Sequence, residues 1–192
     1  MPAHRLDPLL HPQSIAVVGA SERAGSVGLE TLLNLRKGAY PGTIYPINPA
    51  RDTVAGIPCF TSLAMLPEVP QLVVFAVNDQ RLEAALDEAI ALGVQAAVIF
   101  SALSHAGLSE RIRDKANAAG MQICGANCMG FYSPGYGLRV ASAQSPGPTR
   151  STVASSVPPS TIAALGPSTR FIQSIAAHAL LLGQENGNRR QQ

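Results

Sequence analysis

Gly19-Ala-Ser-Glu-Arg-Ala-Gly25-Ser-Val-Gly28 is the stretch of this chain whose residue types best suit chemistry. It follows a short apolar run, Ser14-Ile-Ala-Val-Val-Gly19, and precedes Leu29, Leu32 and Leu33 at helical spacing. Glycines between a strand and a helix permit a tight turn, close approach of a ligand to the backbone, and close packing of the helix on the strand. A helix that starts near Ser26 offers unpaired N–H groups and a partial positive charge, which suit a phosphate. Ser21 and Ser26 add hydroxyls, Arg23 adds a cation, and Glu22 and Ala24 complete the loop. The competing reading is that the glycines only turn the chain.

The spacing is G-x5-G-x2-G, not the G-x-G-x-x-G of dinucleotide folds. Those folds also place an Asp or Glu at the end of the second strand to hold the ribose hydroxyls. Here that position falls in Tyr45-Pro-Ile-Asn-Pro49, with no acid between Thr31 and Arg51. A cation at Arg51 suits a phosphorylated ribose, as in CoA (3′-phosphate) or NADP, and disfavours NAD.

Alternating elements must position these residues. Four further apolar segments read as strands: Thr43 to Ile47, Leu72 to Val77, Ala96 to Phe100, and Met121 to Cys124. Between them, Leu82, Leu86, Ala89 and Ile90 share a helix face behind a cap at Asn78 or Asp79, and Leu108, Ile112, Ala116 and Ala119 share another. Gly38, Gly93 and Gly120 stop the three helices. This pattern predicts an α/β, Rossmann-like parallel sheet of about five strands with helices on both faces, spanning residues 1–141. The loops after Gly19, Ile47, Val77, Phe100 and Cys124 then share one rim, where ligands of such sheets bind. Asn48, Pro49, Val77 and Asn78 join the glycine loop there as candidates.

Several function classes are disfavoured. A formal net charge of +2 with no Lys/Arg run argues against nucleic acid. No apolar stretch reaches the ~20 residues of a membrane span, the start lacks a secretory h-region, and three sparse cysteines do not make a disulfide framework, so a cytoplasmic setting is expected. Cys124 and Cys128 lack a converging His or third Cys, so no metal is expected, and Cys128 has no identifiable base partner. His105 is the one histidine expected on the rim. Arg111, Arg113 and Lys115, alternating with Glu110 and Asp114, read as a solvated helix face.

Pro12-Gln-Ser-Ile-Ala-Val-Val-Gly-Ala-Ser21 with Gly25-Ser-Val-Gly28, then Tyr45-Pro-Ile-Asn-Pro49, Val54-Ala-Gly-Ile-Pro-Cys59 and Gly125-Ala-Asn-Cys128-Met-Gly130, together resemble the N-terminal CoA-binding domain of NDP-forming acyl-CoA synthetases. That group includes ADP-forming acetate–CoA ligase and the alpha subunit of succinyl-CoA synthetase. The resemblance implies CoA as ligand, with Ser21 to Ala24 along its diphosphate and Arg51 against a phosphate. It implies that Phe100, Ser101 and Ala102 flank the nucleotide or pantetheine arm, and that Asn127 lies near the thiol end. It also implies CoA or acyl-CoA as the small-molecule partner, and a separate ATP-grasp ligase subunit, because this chain shows no phosphohistidine loop. A homo-oligomer is a further expectation.

The chain departs from the family pattern at three places. Gly-Ala-Asn-Cys replaces Gly-Pro-Asn-Cys, and Ser101-Ala-Leu-Ser-His105 replaces a Gly-Phe turn with an acid. After Ala141 the family's next strand and Ser-Gly phosphate loop are missing, and residues 142–192 are Ser/Pro/Thr-rich with Glu185 as the only acid. That tail is expected to be low-complexity, from a reading-frame shift near residues 141–143 or as an extension particular to this protein, with helix-like content only at 170–183. Two other functions stay open at this level: a stand-alone regulatory CoA-binding protein, and an NADP-binding oxidoreductase or redox sensor.

Overall fold

The structure, a computed structural model, describes residues 5–142 and 163–164. The expectations for the rest of the tail lie outside these residues. In chain order the elements are α1 (Asp7–Leu10), β1 (Ser14–Val18), α2 (Val27–Lys37), β2 (Thr43–Ile47), β3 (Thr53–Val54) and β4 (Ile57–Pro58). They continue with β5 (Leu72–Phe75), α3 (Asp79–Ala91), β6 (Ala96–Ile99), α4 (Leu108–Ala118), β7 (Gln122–Cys124), β8 (Gly130–Ser133), β9 (Leu138–Ala141) and β10 (Ala163–Ala164).

Five of the strands form one parallel sheet in the order β2-β1-β5-β6-β7. The apolar runs are nearly continuous because both faces are covered. Along β5, Leu72 and Val74 enter one core and Val73 and Phe75 the other, the two-residue period of a strand. The first core joins Leu9 of α1, Leu32 and Leu35 of α2, and Phe131, Leu138 and Val140 of the β8–β9 hairpin. The second joins Leu82 and Leu86 of α3 to Ile112 and Ala116 of α4. The sheet is therefore doubly wound, as the alternating pattern predicts. Pro46 is tolerated because β2 is the edge strand: it needs no N–H on the outer side, where its carbonyl accepts from Phe60 N at 3.0 Å.

From β1 the chain winds outward to β2, then returns to β5 on the other side and winds outward again through β6 and β7. The strand order thus reverses between β1 and β5. That switch point opens a crevice beyond the carboxyl ends of both strands.

Two side chains do not sit where their spacing suggests. Leu33 is exposed, since α2 turns Leu32 and Leu35 to the sheet and carries polar Thr31 and Asn34 on its other buried flank. Those two donate to the Ala141 carbonyl at 3.2 and 3.3 Å and fasten the helix to the end of β9. Ala119 lies just past the end of α4 and is exposed. The basic face of α4 is indeed solvated; Arg113 pairs with Asp114 beside it at 3.1 Å, whereas the partners of Arg111 and Lys115 lie across on α3. Arg111 and Lys115 reach Glu83 at 3.0 and 3.1 Å, and Lys115 reaches Asp87 at 2.8 Å. Hydrogen bonds from Arg111, then Lys115, hold the Glu83 carboxyl down at about 2.

Candidate nucleotide-binding rim

The glycine loop is built against the neighbouring strand ends. Gly19 has φ +89°, and a Cβ there would lie 2.5 Å from the Ala76 carbonyl oxygen just past β5. A Cβ on Gly28, in the first turn of α2, would lie 2.4 Å from the Gly19 carbonyl oxygen. These two positions let α2 start directly above β1. Ser26 caps α2: its Oγ accepts from Leu29 N at 3.4 Å and its carbonyl from Glu30 N at 3.0 Å. The backbone N–H groups of Ala24, Gly25, Val27 and Gly28 have no acceptor among the described residues. A row of unfilled donors at a helix start is an anion-binding arrangement. Ser21 Oγ turns back to accept from Arg23 N at 3.1 Å, which shapes the loop.

Glu22 and Asn48 hold the loop in place. Glu22 accepts from Ala55 N at 2.7 Å and so ties the loop to the β3–β4 turn, which Arg36 grips from the other side through the Ala55 carbonyl at 2.7 Å. Asn48 donates to the Ala20 carbonyl at 2.6 Å and accepts from Ala50 N at 2.9 Å. The residue that replaces the dinucleotide-fold acid thus braces the loop. Arg23 and Arg51 are exposed and pair with no carboxylate among the described residues.

A crevice of about 290 Å³ opens at the switch point. Gly19, Asn48, Pro49 and Val77 of the expected set line it, together with Val18, Ile47, Ala50, Thr61, Ser62, Leu63, Arg81, Ala85 and Glu88. It matches the lower end of ligand-pocket volumes, enough for a nucleoside but not for a whole dinucleotide. Sequence reasoning missed Arg81, Ala85 and Glu88. Their four- and three-residue spacing on α3, next to the strand end at Val77, was the available signal.

The far half of the rim is joined by hydrogen bonds. Asn78 caps α3, accepting from Arg81 N at 3.2 Å. Asp79 is left to face the loop after β6, accepting from Ser101 Oγ, from Ser104 N at 2.7 Å, and facing His105 Nδ1 at 3.1 Å. The Ser101 carbonyl in turn accepts from Asn127 N at 2.8 Å. Phe100 is half-buried, and Ala102 and Asn127 are exposed. Cys128 is buried and donates to the Ile99 carbonyl at 3.4 Å; the Cys124 thiol is pushed far up by its hydrogen bond with Cys128 and by burial. Both fit as small packing residues at a strand end.

The rim therefore brings together the glycine loop, Asn48, Pro49, Val77, Asn78, Phe100, Ser101 and Asn127 from the five loops after β1, β2, β5, β6 and β7, with Arg51 on the exposed turn after β2. A second cavity, about 750 Å³, lies at the opposite, amino ends of the strands beside Gln13, Gln71, Gln95 and Gln122. It is larger and is lined also by Gly120 and by Asp7 and Pro8 of the four-residue α1, but parallel sheets bind their ligands at their carboxyl ends. Among the described residues no group of three or more His, Cys, Asp or Glu side chains could hold a metal ion, and no helix is long and apolar enough to cross a membrane.

A doubly wound sheet with a phosphate-type loop at its switch point defines a nucleotide-binding domain. Its family is shown by comparison: residues 13–134 match the model of the CoA binding domain, and the chain belongs to that family. It is 38% identical over 133 residues to a trans-feruloyl-CoA synthase from an unknown prokaryotic organism, covering 66% of this chain and 19% of that protein. It is 33% identical over 134 residues to the ADP-forming acetate–CoA ligase of Methanocaldococcus jannaschii, covering 68% of this chain and 19% of the ligase. Among solved structures, the dinucleotide-forming acetyl-coenzyme A synthetase 1 of Ca. Korarchaeum cryptofilum, in complex with phosphate and ADP, superposes with TM-score 0.68 at 28% identity. That match covers 71% of this chain and 30% of the synthetase. The chain thus spans about a fifth of the length of these two curated relatives.

Proposed function

We propose that this chain binds CoA or an acyl-CoA along the carboxyl rim and acts as the CoA-docking module of an NDP-forming acyl-CoA synthetase. The observation that carries this reading is the row of unfilled N–H groups at Ala24, Gly25, Val27 and Gly28, set beside the 290 Å³ crevice. The diphosphate lies on that row, with Ser21 and Ser26 at its edge and Arg23 contributing charge. The adenosine occupies the crevice, against Pro49, Val77 and the stem of Arg81. Arg51, exposed on the turn after β2, takes the 3′-phosphate. The pantetheine arm runs the other way, past Phe100, Ser101 and Ala102 to Asn127. From β1, whose loop carries the diphosphate, to β7 the sheet spans three strand spacings, roughly 14 Å, a length suited to an extended arm. In this reading the acyl-transfer chemistry belongs to a larger assembly with an ATP-grasp ligase subunit, to which this chain presents the thiol.

Thermal unfolding with CoA, desulfo-CoA, 3′-dephospho-CoA, NAD and NADP tests the reading. Ligand at 100 times its dissociation constant adds about 2.7 kcal/mol of stability. CoA and desulfo-CoA raise the midpoint alike, because the thiol is not part of the grip. The 3′-dephospho ligand raises it less, and Arg51→Ala removes that difference. A rise with NAD or NADP alone, or no rise with any ligand, overturns the proposal.

A further inference from the structure

Asp79 makes more contacts across the rim than any other side chain on α3, and none of them serves the helix that carries it. Its N-terminal neighbour Asn78 already caps α3. The Asp79 carboxylate, only 13% exposed, instead takes the Ser101 hydroxyl and the Ser104 N–H at 2.7 Å, and meets His105 Nδ1 at 3.1 Å. Its carboxyl is held at about 2, chiefly by the Ser101 hydroxyl and further by His105 and the Ser104 N–H. The loop so held contains Leu103 at φ +52°, a conformation that a bulky residue keeps only when its surroundings enforce it. One bond further on, the Ser101 carbonyl fixes Asn127 N at 2.8 Å, and Asn127 is itself at φ +52°. A single carboxylate thus anchors the loops after β5, β6 and β7 to one another. It does so on the side of the rim away from β2, whose turn is braced separately by Asn48.

We propose that Asp79 is a positioning residue for the thiol-side half of the site: it sets the Ser101–His105 loop and, through Ser101, Asn127, so that the pantetheine arm is gripped, while the nucleotide half is held independently by the glycine loop and the crevice. This rests on the reading of the rim as a CoA site. It assigns to the Ser101–His105 loop, where the chain departs from the family pattern, an anchor supplied from α3.

Binding of two probes separates the halves: desulfo-CoA, which carries the arm, and adenosine 3′,5′-bisphosphate, which is the nucleotide half alone. Both are titrated calorimetrically into the wild-type chain, Asp79→Asn and Ser101→Ala. The loss of a hydrogen bond to a charged group corresponds to roughly a tenfold effect or more. Asp79→Asn is therefore expected to weaken desulfo-CoA about tenfold while leaving the bisphosphate within about twofold. Ser101→Ala gives the same split without changing the charge at the start of α3, so an effect of helix electrostatics is distinguished from positioning. Equal weakening of both probes, or no weakening of either, overturns the assignment of Asp79 while the CoA reading stands. Failure of the wild-type chain to bind either probe overturns the CoA reading and the assignment with it.

Discussion

Gly19→Ala is expected to destabilise the domain by about 2–6 kcal/mol and to abolish ligand stabilisation. Two costs combine. A residue with a side chain at φ +89° carries backbone strain of about 1–3 kcal/mol. The new Cβ would sit 2.5 Å from the Ala76 carbonyl and 2.9 Å from Val77 Cγ1, and overpacking of that kind costs about 1–3 kcal/mol. Neither neighbour yields easily, because Ala76 N is itself bonded to the Val18 carbonyl at 2.8 Å. Relief must come from moving the glycine loop, which also carries the donors assigned to the diphosphate. The thermal midpoint should fall by on the order of 10 °C. A variant that melts with the wild type and still binds CoA would show that the loop is not set as described.

Phe131→Ala carries the second large effect, about 3–5 kcal/mol. Phe131 is 1% exposed and lies on β8, outside the parallel sheet, where it packs into the core shared by α1, α2 and β1. A loss of this size, read by urea unfolding, establishes that the β8–β9 hairpin is an integral wall of the domain. A loss under about 1 kcal/mol would mean that the domain closes at β7 and the hairpin is an appendage.

The parallel sheet was legible in the sequence because buried strands are short, apolar and β-branched, and each helix after the first strand ends at a glycine: Gly38, Gly93 and Gly120 all fall where expected. The glycine loop was legible because its glycines have geometric work to perform, and Ser26 is the cap its position suggests. What stayed hidden depends on pairing between distant residues. The β3–β4 hairpin has strands of two residues each and is held by Glu22 and Arg36, 33 and 19 positions from Ala55. Thr31 and Asn34 look like solvent-facing helix residues, yet they are buried because the Ala141 carbonyl arrives from 110 and 107 residues away. Asp79 looked interchangeable with Asn78 as a cap; only the folded loop after β6 shows that one caps and the other anchors the rim. Arg81 was overlooked because its only mark is its spacing to Ala85 and Glu88 on α3 beside the strand end at Val77, and that mark gains meaning only once the crevice beside it is formed.

The most direct test of the account is to locate the ligand residue by residue. Titration of the isotopically labelled chain with desulfo-CoA, followed by backbone amide NMR, compares the two ends of the sheet. Large shifts are expected at Ala24, Gly25, Val27 and Gly28, further shifts at Val77, Ser101 and Asn127, and none at Gln13, Gln71, Gln95 or Gln122 around the larger amino-end cavity. Shifts concentrated at those glutamines, with the glycine loop unmoved, would contradict it.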